Sequence, residues 1–142
     1  MIVRFHQVDE EDAVELHKLA FAGDPWWDAK GGTYWVGLDV TTKWALPRQR
    51  VVAFCGATLK DDPTRVFLSR AAVTKTAQGL GLQRRMIRMR CAWGKRQGAK
   101  LATTYTSIDN WSSIANLIRC GFEFYDPKDK YVGTWHYFRK TL

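Results

Sequence analysis

Apolar residues recur along the chain with two different periods, and the switches between them mark out the elements. From Ile2 to Val8 apolar and polar side chains alternate loosely, the period-two signature of a strand. Asp9 then offers a helix cap, and Val14, Leu16, Leu19, Ala20 and Phe21 supply the apolar side of a helix from Glu10 to Phe21. Gly23-Asp24-Pro25 ends it, and Trp26-Trp27-Asp28 begins a short irregular or helical piece that closes at Gly31-Gly32. Thr33 to Leu38 and Arg50 to Leu59 read as the second and third strands, with a polar connection holding Pro47. After a turn at Lys60 to Pro63, a fourth strand runs from Arg65 to about Val73. Leu82, Met86, Met89 and Trp93 then share one face of a helix that runs to about Gln97, before Gly98. Lys100 to Ser107 is a fifth strand. Asp109 and Asn110 offer caps for a helix from Trp111 to Cys120, with Ile114, Leu117 and Ile118 as its apolar stripe and Gly121 as its stop. Phe122 to Tyr125 and Tyr131 to Phe138 close the chain as two strands around Asp126-Pro127-Lys128-Asp129. This order predicts one α/β (α+β) domain over residues 1–142, built on a mixed sheet and without internal repeats.

Composition agrees with a folded chain and adds a charge. The 142 residues are 46% hydrophobic and 13% aromatic with 7 Trp, enough core material to offset the entropy of ordering. Lys and Arg number 22 against 14 Asp and Glu, a net +8, which favours an anionic partner: nucleic acid, a membrane surface or a polyphosphate cofactor. No apolar run approaches the roughly 20 residues of a membrane span, and the N-terminus lacks the signature of a secretory signal, so a cytoplasmic protein is expected. Cys55, Cys91 and Cys120 are odd in number and widely spaced, which predicts buried reduced thiols rather than a disulfide or a metal site. His6 and His17 are isolated and read as structural or exposed.

The chemistry concentrates where the fourth strand meets the basic helix. Gln78-Gly79-Leu80-Gly81 lies between them, and strand, glycine turn and helix is an arrangement that binds anions. The first N–H groups of a helix have no intrahelical partner, and the helix dipole adds partial positive charge there. The same glycines also serve as ordinary turn punctuation. Arg84, Arg85, Arg88, Arg90, Lys95 and Arg96 occupy much of the remaining helix surface, either as a solvated face or as contacts to an outer phosphate of a ligand.

The order of elements, the glycine turn after the fourth strand, Asn110 after the fifth, and the Gly121-Phe122 junction together resemble the GNAT superfamily of N-acyltransferases. The likeness covers the whole chain and is strongest from Leu68 to Phe124. It implies a mostly antiparallel mixed sheet of about seven strands with helices on both faces. It also implies acetyl-CoA or another acyl-CoA as cofactor, and direct acetyl transfer to an amine on a small molecule or on a protein lysine or N-terminus. The family's pyrophosphate motif, R/Q-x-x-G-x-G/A, stands five residues after a valine. Reading it from Gln78 keeps that spacing from Val73, sets Gly81 at the first glycine, puts Met86 and Ile87 in the core, and leaves Gln83 where Gly or Ala is usual. Reading it from Thr76 sets Gly79 and Gly81 at both glycines but puts Arg84 at a core position, so the Gln78 register is preferred. The implied cofactor contacts are Ala72, Val73, Gln78, Gly79, Leu80, Gly81, Leu82, Gln83, Arg84, Asn110 and Ser113. Trp26, Trp27, Asp28 and Tyr34 are the expected acceptor contacts, with the closing strands near Tyr131 to Tyr137.

Many relatives carry a tyrosine four residues before the G-F glycine, as the acid that protonates the CoA thiolate; here Leu117 stands there. Some place a carboxylate base on the fourth strand, but Phe67 to Val73 contains none. Tyr105, Ser107 and Tyr125 are the nearest polar substitutes, and each also has a role open to it in strand hydrogen bonding or core packing. The alternative class is a CoA-binding, catalytically weak GNAT domain that acts by binding a protein partner. Nucleic-acid binding is disfavoured, because the arginines gather on the cofactor helix and no aromatic-basic RNA motif occurs. No membrane association and no metal are expected, and a homodimer is left open.

Overall fold

At Asp9 the chain turns from strand to helix. Its carboxylate accepts a hydrogen bond from the Asp12 amide at 2.8 Å and its carbonyl accepts one from Ala13 at 2.9 Å, so the expected cap is formed. Glu10, Glu11 and Asp12 follow in the first helical turn, where negative charge meets the positive end of the dipole. The structure, a computed structural model, describes residues 1–20, 31–41, 43–59, 62–128 and 135–142, the side chains of residues 19 and 20 excepted. Its elements are β1 (Val3–Val8), α1 (Glu10–Ala20), β2 (Thr33–Asp39), β3 (Val51–Thr58), β4 (Arg65–Val73), α2 (Leu82–Arg96), β5 (Leu101–Ser107), α3 (Trp111–Arg119), β6 (Glu123–Tyr125) and β7 (Trp135–Thr141). Two short 3-10 turns, Pro47–Arg50 and Lys75–Ala77, were not expected from periodicity, since neither is long enough to show a period.

The described chain divides into two compact units. The first comprises Met1–Thr58 and Ser69–Leu82. In it β1 pairs antiparallel with β2, and β2 with β3, with a register break between Gly37 and Leu38. Val51 to Ala57 are all buried, so β3 is a continuous apolar run covered on both sides. Ala13 of α1, Tyr34 and Val36 of β2 and Phe54 of β3 form the core, with Val8, Val14, Leu16 and Leu38 packed against it. His17 is buried against Phe54, ring centroids 5.1 Å apart, so it is a core residue.

The second unit comprises Leu59–Leu68 and Gln83–Leu142. Here β4 pairs in parallel with β5 over Arg65–Phe67, while β5 pairs antiparallel with β7, and β7 with β6. At Leu68, one residue past the last paired position, the β4 carbonyl accepts from the Thr104 hydroxyl at 2.8 Å. Read through β4, the strand order is β1-β2-β3-β4-β5-β7-β6, the seven-stranded mixed and mostly antiparallel sheet with helices that was expected.

Two apolar stripes differ from expectation. On α2 the buried positions are Leu82, Met86, Ile87, Arg90, Cys91 and Gly94, whereas Met89 and Trp93 are half-buried. Gly94 explains the rotation: a Cβ there would lie 2.6 Å from Val66 Cγ1, so the helix packs against β4 through its smallest residue. Arg90 accordingly leaves the solvated face assigned to it; it is buried, and its Nε donates to the Met86 carbonyl at 3.1 Å. On α3, Ile114 and Leu117 are buried but Ile118 is exposed. Gly121, at φ +91°, ends that helix, with its amide on Ile118 and the Phe122 amide on Leu117, both at 3.0 Å. β7 extends to Thr141, past the expected end at Phe138, because Arg139 pairs across to Glu123 at 3.0 Å and hides a strand behind charges.

Gly94→Ala is expected to lower the stability of the chain by about 1–3 kcal/mol, since Val66 is branched at Cβ and has little room to yield. Chemical denaturation checks it, and Val66→Ala in the same chain should restore most of the loss.

Candidate functional site

Beyond β4 in the first unit, the chain passes through the Lys75–Ala77 turn, with Ala77 buried, into the glycine turn. Gly79 and Gly81 have φ of +81° and +75°, a backbone conformation that L side chains rarely adopt. A Cβ at Gly79 would meet nothing within 4 Å, so φ rather than crowding calls for glycine, and the space beside the backbone is open. Gln78, Gly79 and Leu80 are exposed, Ala72, Val73 and Gly81 half-buried. Leu82 begins α2, whose first turn holds no acidic residue. Within α2, Gln83 and Arg84 are half-buried, Arg85 and Arg88 exposed, and Met86 and Ile87 buried, the burial that the Gln78 register calls for. The arrangement presents helix N-terminal amides and arginine side chains, with no acidic residue in the first turn of the helix, which suits a phosphate.

Asn110 and Ser113 come together at the start of α3, where the Asn110 side-chain carbonyl accepts from the Ser113 amide at 3.3 Å. That side chain is a helix cap. Tyr34, expected to meet an acceptor, is 4% exposed and stacked on Phe54 at 5.8 Å in the first unit's core. The ring fills the β2–β3 face that α1 covers, as an alternating strand residue of this size does. Trp26, Trp27 and Asp28 lie outside the described residues.

The second unit holds a cleft of about 640 Å³, lined by Phe67 of β4, Thr103 to Tyr105 of β5, Tyr125 of β6, Tyr137 of β7, and Arg65, Pro127 and Lys128. Its floor follows from register: Tyr105 pairs with Tyr137 and Tyr125 with Tyr137, so three phenols stand in one row across three strands. The ring of Tyr105 lies 5.5 Å from Phe67, 4.8 Å from Trp135 and 5.7 Å from Tyr137. Tyr125 meets Tyr137 edge-on at 6.5 Å. Two of the three candidate catalytic residues, Tyr105 and Tyr125, therefore share one cleft. Ser107 does not line it; its carbonyl, at the end of β5, accepts from the Asn110 amide and the Thr106 hydroxyl, each at 3.2 Å. Tyr137 ends the closing stretch expected to meet an acceptor, of which residues 131–134 lie outside the described residues, while Phe67, Arg65 and Lys128 were not singled out from sequence. Their alternation on the strands was visible, but the register that unites them was not.

Leu117 is 3% exposed, with its carbonyl accepting from the Cys120 and Phe122 amides. Cys55, Cys91 and Cys120 are all buried thiols, as expected. Burial pushes the Cys91 thiol up, against the pull of Lys140 and Arg90, so it is a poor nucleophile near neutral pH. Among the described residues no group of His, Cys, Asp or Glu is placed to hold a metal ion, and no helix is long and apolar enough to cross a membrane.

Comparison with known proteins gives this geometry a context. No curated protein matches the sequence. Among solved structures, an IAA acetyltransferase from Bacillus cereus is 15% identical with a TM-score of 0.74, covering 99% of this chain and 100% of its own. A Bacillus subtilis acetyltransferase in complex with CoA is 16% identical with a TM-score of 0.72, covering 99% of both chains. The NatC complex bound to Gag peptide and CoA contains a chain 13% identical with a TM-score of 0.77, covering 100% of this chain and 99% of that one. Identities this low speak to the fold alone. The family model for acetyltransferase (GNAT) proteins matches the sequence itself over residues 2–122, and the chain belongs to that family.

Proposed function

We propose that the chain moves an acetyl group from acetyl-CoA to an amine by direct attack on the thioester. The observation that carries this reading is the glycine turn at Gln78–Gly81, two positive-φ glycines leading into a helix whose first turn has no acid. Backbone at Gly79 and Gly81 can approach a pyrophosphate closely, and the α2 amides supply donors to it. The two CoA complexes among the structural relatives support the same cofactor here.

The transfer needs few protein groups. The amine nitrogen bonds to the thioester carbonyl carbon, the C–S bond breaks, and the departing sulfur takes a proton. The amine must first lose a proton, because an alkylamine is largely protonated at pH 7. No carboxylate lies on β4 between Phe67 and Val73, so a tyrosine of the cleft, or water held by one, takes the proton-transfer roles. A thiol pKa of about 8.5 makes sulfur a tolerable leaving group, and the burden on the acid is modest. The NatC complex bound to Gag peptide and CoA supports a peptide amine as one class of acceptor, beside the amine of a small molecule. The buried thiols support a reducing, cytoplasmic location.

If Arg84, Arg85 or Arg88 pairs with the cofactor's 3′-phosphate, dephospho-CoA should bind about 10- to 100-fold more weakly than CoA, the worth of one charged hydrogen bond. Calorimetry with both ligands measures it. Equal affinities would leave that helix face merely solvated, and no affinity for either would end the cofactor assignment. One observation favours a second reading, a CoA-binding domain that acts through a protein partner: the buried Leu117 supplies no phenol where many relatives carry one. Thiol release from acetyl-CoA in the presence of an amine distinguishes the two.

A further inference from the structure

The cleft of the second unit has a chemistry of its own, separable from the family's acetyl chemistry. Its floor is the row of rings of Phe67, Tyr105, Tyr137 and Tyr125, and the charged side chains among its described lining residues are Arg65 and Lys128, both exposed. Four neighbouring rings make an aromatic surface on which a flat apolar body can lie, and a volume of about 640 Å³ suits a small molecule. Two cations at such a surface attract an anion.

Aromatic rings can also hold an ammonium group, so the two chemistries must be weighed. Here the cation has been supplied from within. The Arg139 guanidinium carbon stands 5.2 Å from the centroid of the Tyr125 ring, and its Nε donates to Glu123 at 3.0 Å. That ring already has its cation, and Glu123 already has its partner. Asp62, whose carboxyl is held below the usual range by the Thr64 hydrogen bonds first and by the charge of Arg65 last, accepts from both the amide and the hydroxyl of Thr64, at 2.9 Å and 2.6 Å, and does not line the cleft. A polyamine entering this cleft would meet like charge with no carboxylate lining it among the described residues.

We infer that the cleft selects an acceptor that carries a carboxylate beside an aromatic body, an amino-carboxylic acid of the aromatic amino-acid type, and that Arg65 and Lys128 hold the carboxylate. This rests on the transfer reading for the word acceptor, but the recognition itself is a binding property. The rings seat the body, the two cations fix its orientation, and the amine is left as the group to be acetylated.

The test is direct binding at fixed ionic strength, without turnover. Titrating the chain with 3-phenylpropionate, 2-phenylethylamine and spermidine compares a ring with an anion, a ring with a cation, and a cation without a ring. The expected result is phenylpropionate binding at least about tenfold more tightly than either amine, as one charged hydrogen bond provides. In Arg65→Ala/Lys128→Ala that preference should fall below about threefold, with the circular dichroism spectrum unchanged because both side chains are exposed; the two single variants should each show part of the loss. Either amine binding as tightly as phenylpropionate, no binding of phenylpropionate, or a preference that survives the double substitution overturns the inference. CoA binding measured on the same samples is independent of all three outcomes, so a failure of the cofactor reading is recorded separately.

Discussion

Tyr105→Phe is expected to lower kcat about 100-fold while leaving the affinity for CoA within about twofold, because it removes one O–H from the cleft and keeps the ring. A factor of 100 corresponds to about 2.7 kcal/mol of barrier, the lower end of what a positioned general acid or base contributes. Leu117 is buried in α3 and supplies no phenol, so in the proposed transfer the proton would be handled elsewhere. Tyr105 is the best placed of the three candidates. Its ring is held by Phe67, Trp135 and Tyr137, and its neighbour Thr104 is bonded to the Leu68 carbonyl where β4 and β5 cease simple pairing. Rings packed in this way hold a hydroxyl in one direction, which proton transfer requires. Steady-state kinetics with saturating acetyl-CoA, and the same measurement on Tyr125→Phe and Ser107→Ala, decide the matter. A loss confined to Tyr125→Phe would move the role to β6, and no loss in any of them would assign it to water.

Gly81→Val should weaken CoA binding by tenfold or more, on the order of one charged hydrogen bond, because a branched side chain would stand where backbone meets pyrophosphate. The structure alters what else this substitution does. With φ at +75°, a valine is strained whatever it touches, so a loss of stability of about 1–2 kcal/mol is expected beside the loss of affinity. Gly98→Val separates the two effects. Gly98 has φ +96° after the end of α2 and open space around a Cβ, so it carries comparable strain without a proposed ligand. Both variants should melt earlier than the parent, and only Gly81→Val should lose CoA. Equal CoA affinity in the two would remove the pyrophosphate assignment.

The elements themselves were legible because each one carries its own local signal. Asp9 and Asn110 cap helices by reaching amides three residues on, and Gly121 stops α3 by a φ that only glycine adopts freely; such contacts lie within one turn and can be read in order. β7 was cut short for the opposite reason. Arg139 and Lys140 look like the end of a strand until Glu123 and the Cys120 carbonyl, respectively, are seen to accept from them. The α2 stripe was displaced because a glycine has no hydropathy to speak of, yet Gly94 is the residue through which the helix approaches Val66. Periodicity counts apolar side chains and is blind to a contact made by the absence of one.

What the sequence by itself determined is the family, the alternation of strands and helices, and the turn proposed to meet the cofactor, since the Gln78–Gly81 turn and the helix after it are contiguous and their chemistry is backbone chemistry. Only the tertiary structure decided which side chains share the cleft. Tyr105, Tyr125 and Tyr137 come from three strands, and they fall in one row through the pairing of β5 with β7 and of β7 with β6. A shift of one residue in either ladder would have turned the rings to the other face. The same dependence set Tyr34 in the first unit's core, because whether an alternating aromatic packs against a helix is set by what covers that face of the sheet.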